Sequence, residues 1–266
     1  MKADLVQLAQ PGRFPAAGLL PALLFGMLLL AILSGCGRKG PVQPLSGMAP
    51  AAPENLQILQ QGNSLLLSWR VPQGDTAKDL RGYRIDRLEY AAADGCPSCR
   101  EPRETVIRFS LRNLGPVQQI NRRLYWRDTR IVPGSGYFYQ VVAEGYGGRQ
   151  GEAATIYRAR LAPPDPPARL QADIENDRLL LSWRPPEALP EGARPVGYNL
   201  YRRSLNGLFL PVPLNAEVLE DPEVVDRGLA SGRTYAYRVS LLVRIGEALV
   251  ESPPSQILQF TVPGGE

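Results

Sequence analysis

The apolar positions follow three regimes along the chain. From Ala16 to Leu33 they are nearly continuous, preceded by an opening that carries Lys2 and Arg13. From Gly37 to Pro53 they give way to Gly, Pro, Ala and Ser, a composition that cannot bury enough apolar surface to fold and that predicts a partly extended tether. Beyond Pro53 they come in short runs and alternations separated by Pro- and Gly-rich turns, which predicts many strands and no helix.

One of these runs, Asn63-Ser64-Leu65-Leu66-Leu67-Ser68-Trp69-Arg70, returns as Asp177-Arg178-Leu179-Leu180-Leu181-Ser182-Trp183-Arg184, so one module occurs twice. Further matches keep their order. Gly82-Tyr83-Arg84-Ile85-Asp86 answers to Gly197-Tyr198-Asn199-Leu200-Tyr201, each an alternating run. The stretch from Asp128 through Pro133-Gly134 to Tyr137-Phe138-Tyr139 answers to that from Asp226 through Ser231-Gly232 to Tyr235-Ala236-Tyr237. An early tryptophan strand, short strands and turn-rich connections predict an all-β chain of two tandem β-sandwiches, each of about a hundred residues.

The Trp of the second strand, the Gly-Tyr that opens the third and the Pro-Gly-x-x-Tyr-x-Tyr-x-Val approach to a later one resemble fibronectin type III, immunoglobulin-like domains over residues 53–161 and 167–262. The resemblance implies that Trp69 and Trp183 fill the cores, and that Tyr137 and Tyr235 form tyrosine corners tying a strand connection to its own backbone. These are structural roles. Copy two has Ser231-Gly232 where copy one has Pro133-Gly134, and the retained Gly still fits the turn. Asp128 and Asp226 occupy equivalent turn positions, which suggests a turn-capping role. Between the copies, 162–166 is a Pro-rich linker. Four prolines within Ala162–Pro167 favour polyproline II, a stiff spacer that would make the pair a rod.

The apolar stretch from Ala16 to Leu33 approaches the length of a membrane-spanning helix, but Leu33-Ser34-Gly35-Cys36 argues for cleavage. It resembles the lipobox of bacterial lipoproteins, which implies removal of residues 1–35 as a signal peptide and lipidation of Cys36 with diacylglycerol and an acyl chain. Residues 36–52 are then a lipidated tether. Two buried acyl chains suffice to hold a protein stably on a bilayer. Gly37, where an Asp would signal inner-membrane retention, implies the outer membrane and its periplasmic face. Cys36, Gly37, Lys39, Gly40, Pro41 and Pro44 resemble the mature start of LptM-like lipoproteins, which implies the lipopolysaccharide translocon as a partner. Independently of that family, Arg38 and Lys39 beside the lipid would attract anionic head groups at roughly 1 kcal/mol per basic residue.

Composition narrows the functional classes. The chain has 266 residues and a net charge of +4 from 30 basic and 26 acidic side chains that form no long run, so no nucleic-acid partner is expected. With no histidine there is no Ser-His or Cys-His pair, no imidazole base and no His metal ligand. No nucleophile motif, paired carboxylates or phosphate loop stands out, so no enzyme, cofactor or metal is expected.

Copy one carries an insertion containing Cys96-Pro97-Ser98-Cys99. Tetrahedral zinc needs four ligands, which this chain does not offer, and a thioredoxin-type pair needs a helix N-terminus in place of a Gly/Pro loop. The remaining reading is a small disulfide between Cys96 and Cys99 that shapes the tip of the insertion in the oxidising periplasm. The expected function is a non-enzymatic, lipid-anchored binding or scaffold module for a protein or glycan near the outer membrane. Sandwich loops and free sheet edges would make the contact, with Arg100 and Arg103 beside the Cys loop. The alternative is an accessory lipoprotein of translocon assembly.

Overall fold

The computed structural model describes residues 49–93, 99–102, 104–175 and 178–264. The readings made for Cys36, Gly37, Lys39, Gly40 and Pro41, and those for Cys96 and Arg103, lie outside the described residues. The described chain is all β apart from short 3-10 turns such as Gly74–Ala77.

The first module is built from β1 (Glu54–Gln61), β2 (Ser64–Arg70), β3 (Leu80–Ala91), β4 (Glu104–Ser110), β5 (Gln118–Ile120), β6 (Arg123–Asp128), β7 (Ser135–Gly145) and β8 (Gln150–Ala159). The second comprises β9 (Ala168–Glu175), β10 (Arg178–Arg184), β11 (Ala193–Ser204), β12 (Glu223–Asp226), β13 (Thr234–Ile245), β14 (Ala248–Glu251) and β15 (Leu258–Thr261). In the first, the sheet β4-β3-β7-β8 faces the strands β1, β2, β6 and β5; in the second, β12-β10-β9 faces β11, β13, β14 and β15.

Each module has its own core around its repeated tryptophan. The Trp69 ring meets Tyr83 edge-on at 5.4 Å, and Trp183 meets Tyr198 at 5.2 Å, the T-shaped arrangement that ring quadrupoles favour. The glycine before each of these tyrosines permits a close approach. A Cβ on Gly82 would lie 2.0 Å from the Phe109 carbonyl oxygen, and one on Gly197 would lie 2.3 Å from that of Leu219.

The outer side of the third strand is covered differently in the two copies. β4 pairs with β3, whereas β11 is flanked by an irregular segment in which Tyr198 and Leu219 exchange backbone hydrogen bonds and Asn215 Oδ1 accepts from Leu200 N–H.

The modules are joined by more than the proline linker. β1 pairs in parallel with β14, Gln60 opposite Val250 and Gln61 opposite Glu251, and Gly62 N–H donates to the Glu251 carbonyl at 2.7 Å. Strand order therefore runs without a break through β11-β13-β14-β1-β2-β6-β5. Strand pairing thus joins the modules in addition to the proline linker. The linker itself is pinned at its start, because the buried Gln60 amide donates to Leu161 O at 2.7 Å and accepts from Leu161 N–H at 2.9 Å.

β14 is free to reach β1 because the last strand is interrupted at Ser252-Pro253-Pro254-Ser255. The prolines have no N–H to continue the ladder on β13. The serines on either side replace it: Ser252 Oγ accepts from Leu241 N–H and Ser255 Oγ from Val239 N–H, at 2.9 and 3.1 Å.

Candidate functional site at the module junction

Three groups of buried polar side chains stand out, and two of them repeat. In the first module Arg87 Nη1 donates to Asp128 Oδ2 at 2.9 Å, and the Tyr139 hydroxyl donates to the same oxygen at 2.8 Å. In the second, Arg202 Nη1 reaches both oxygens of Asp226 at 2.8 and 2.9 Å, and the Tyr237 hydroxyl donates at 2.7 Å. Burial, followed by the neighbouring carboxylate, raises both tyrosine hydroxyls above the ordinary phenol range. Both triads pair a buried aspartate with an arginine, although Arg87 Nε is buried without a hydrogen-bond partner. Asp128 also caps its turn, its Oδ1 accepting from Arg130 N–H at 2.9 Å. Among the described residues Asp226 accepts from Arg202 and Tyr237 and from no backbone N–H of its turn, so the expected turn-capping role is corrected there.

The third group lies where the modules meet. Gln61 ends β1 at the pairing with β14, and its Nε2 donates to Glu251 Oε2 at 2.6 Å and to the Tyr201 hydroxyl at 3.1 Å. Tyr201 in turn donates to Glu251 Oε1 at 2.6 Å, so both carboxylate oxygens are engaged. Glu251 is 1% exposed and Tyr201 3%. From β6, Arg127 donates to Ser64 Oγ at 2.7 Å and to Gln61 Oε1. Burial lowers the Arg127 guanidinium below the usual arginine range, with Tyr201 and Glu251 opposing that shift.

On β13, the Arg238 guanidinium lies 4.2 Å from the centre of the Phe209 ring and 5.1 Å from that of Tyr201. Its Nε is buried and has no hydrogen-bond partner. Burial lowers this group as well, and the neighbouring Arg127 and Arg203 add to the lowering. These side chains border a cleft of about 770 Å³ whose walls also include Leu210, Pro211 and Pro253. A second cleft of about 620 Å³ shares Gln61, Tyr201 and Pro211 with it and runs past Leu66, Ser68 and Tyr125. The segment after β11 exposes Leu205 by 45%, Leu208 by 78% and Leu210 by 48%, and of these Leu210 borders the first cleft.

The residues singled out from the sequence fall mainly elsewhere. Trp69 and Trp183 lie in their cores. The Tyr137 hydroxyl accepts from Val132 N–H at 2.7 Å, and the half-buried Tyr235 accepts from Ala230 N–H at 3.1 Å. Cys99 is disulfide-bonded, and Arg100 is exposed on the approach to β4.

Gln61, Tyr201, Arg238 and Glu251 were not singled out. The signal that could have found them is divergence between the copies: aligned on the repeat, Tyr201 replaces Asp86 and Arg238 replaces Gln140. Among the described residues no three His, Cys, Asp or Glu side chains gather as a metal site, and no helix is long and apolar enough to cross a membrane.

This architecture defines the class: a tandem β-sandwich protein of fibronectin type III-like modules. No family model matches the chain. It is 24% identical over 213 residues to fast-type myosin-binding protein C of Gallus gallus, and 25% identical over 236 residues to myomesin-2 of Homo sapiens. These alignments take in 79% and 80% of this chain, which spans only 17% and 15% of those proteins' length. The crystal structure of chicken CNTN1 FN1-FN3 domains aligns with 81% of this chain and 68% of its own at 18% identity, with a TM-score of 0.31.

Proposed function

We propose that the protein is a non-enzymatic binding and scaffold module for a protein partner, held at the outer membrane by a lipid on Cys36. The observation that carries the binding role is the strand path shared by both modules, which holds a polar and aromatic cleft open between them. A preorganised surface loses less conformational entropy on association than two modules on a free hinge. The relative whose name states a binding role, myosin-binding protein C, supports a protein as the partner class. The lipobox around Cys36 and the tether after it support the anchor.

Crosslinking in intact cells, followed by mass spectrometry of adducts, tests the binding role. A protein adduct lost when the second module is deleted is the expected result, and recovery of uncrosslinked protein alone sinks it. For the anchor, intact mass should show acyl groups on Cys36, and Cys36→Ala should leave the membrane fraction. An unmodified Cys36, or a Cys36→Ala variant that stays membrane-bound, rules the anchor out.

A further inference from the structure

The cleft at the junction carries an imbalance of charge that the fold itself does not resolve. Arg127 and Arg238 line it and Arg203 lies close to Arg238, and among the described residues the one carboxylate that lines the cleft and acts on Arg127 and Arg238 is Glu251. Among the described residues, Arg127 hydrogen-bonds to Gln61 and Ser64. Arg203 hydrogen-bonds to the carbonyls of Ser204 and Leu205, with its guanidinium 5.1 Å from the Phe209 ring centre. Arg238 makes ring contacts and feels the Glu251 charge, with no side-chain hydrogen bond to it among the described residues. The nearby carboxylate, Glu251, has both oxygens engaged by Gln61 and Tyr201. Guanidinium charge half removed from water exceeds the single negative charge of Glu251, and an incoming carboxylate relieves that excess through a charge-assisted, planar hydrogen-bonding fork.

The rest of the surface limits what carries that carboxylate. The cleft is bordered by Phe209, Leu210, Pro211 and Pro253, and Leu208, which precedes Phe209 in the chain, stands exposed. Leu208, at 78% exposure, is the most exposed of the large apolar side chains among the described residues. Apolar flanks around a cationic centre fit a chain segment in which an acidic side chain sits between apolar neighbours.

We infer that this cleft is the docking site for an extended acidic peptide segment of a partner protein, one Glu or Asp of which is received by Arg238 and Arg127 while apolar neighbours pack on the proline and leucine walls. The inference rests on the binding role proposed above and gives it a site and a chemistry. Arg238 reads the carboxylate, and its stacking between Tyr201 and Phe209 holds the guanidinium plane in place for that contact. Arg203 supplies long-range attraction.

The test uses the full chain and two fluorescein-labelled probes followed by polarisation: the peptide Leu-Glu-Leu-Pro-Glu-Leu and its counterpart with both Glu replaced by Gln. The Glu probe is expected to bind about ten-fold more tightly or better, with the difference shrinking as salt is added. In Arg238→Gln the preference should fall to about one-fold while the melting temperature stays near that of the parent. Where Arg238→Gln does not fold, Arg203→Gln is expected to lower the preference in the same direction.

Equal affinity for the two probes, no binding of the Glu probe at millimolar concentration, or an unchanged preference in a folded Arg238→Gln overturns the inference. So does Arg238-dependent binding to vesicles of anionic phospholipid in place of the Glu probe. In-cell crosslinking of Arg238→Gln separates this failure from that of the binding role. A partner still captured at the parent level leaves the scaffold reading standing and removes the cleft, whereas a parent protein that captures nothing removes both.

Discussion

Arg87 and Asp128 form an ion pair of 2.9 Å in which the arginine side chain is 8% exposed and the aspartate 1%. The equivalent pair of the second module, Arg202 and Asp226, is looser in one respect, since the arginine side chain is 23% exposed. Removing one member of a buried pair leaves an uncompensated charge, so Asp128→Ala should cost about 3–5 kcal/mol. Glu104 also bonds to Arg87 but is half exposed and replaces only part of the lost interaction. Asp226→Ala should cost less, because water reaches Arg202. Urea unfolding of the two variants decides the order, and equal losses would contradict the burial difference.

Each tryptophan supports its own core. Trp69→Ala and Trp183→Ala should each destabilise their module by about 3–5 kcal/mol, the range for deleting a large buried ring. Near-ultraviolet circular dichroism during unfolding follows the remaining aromatic residues. A variant that melts like its parent would mean that the ring is not packed as described.

Glu251 links the modules through side chain and backbone together. Glu251→Ala leaves the Gln61 amide and Tyr201 hydroxyl short of a buried acceptor, at about 1–3 kcal/mol for each unmet group. Calorimetry should then resolve two transitions, one per module, closer together in the parent than in the variant. A variant trace superimposable on that of the parent would show that this network does not couple the modules.

Among the described residues seven tyrosines are shifted upward, in each case first by burial, and the largest shifts fall on Tyr83, Tyr139, Tyr201 and Tyr237. A group whose folded value lies above its unfolded one contributes stability that is complete below the unfolded value and is lost as pH rises past it. Unfolded tyrosine ionises near pH 10, so stability should hold to about that pH and then fall by about 1.4 kcal/mol per pH unit for each such residue. Ultraviolet absorbance should show these four ionising together with unfolding. Gradual ionisation near pH 10 in a chain that stays folded would refute the burial.

The strands and tryptophan cores could be read directly from the repeat, because alternation and turn residues are local signals. Burial beyond the core could not. Leu65 to Arg70 and Leu179 to Arg184 carry the same residues, yet β10 alternates while β2 is buried at all but its last position. The difference arises because Leu66 and Ser68 lie in the second junction cleft, a feature of tertiary pairing that no window of sequence contains. The junction escaped notice for the same reason: Gln61 and Glu251 lie 190 positions apart and become neighbours only when β1 meets β14. Arg87 and Arg202 could have been anticipated, since each stands four places after the tyrosine of its Gly-Tyr pair.

The parallel pairing of β1 with β14 also determines how the molecule responds to tension. A pull applied between the start of β1 and the chain following β14 draws two side-by-side parallel strands in opposite directions along their length. Their hydrogen bonds are then strained simultaneously in shear, not opened one after another as when a hairpin is peeled apart. The Gln61, Tyr201 and Glu251 contacts lie across the same sliding plane and resist with them. Under such a force the rate of rupture, rather than equilibrium stability, governs survival, and the junction becomes a mechanical clamp between the two sandwiches.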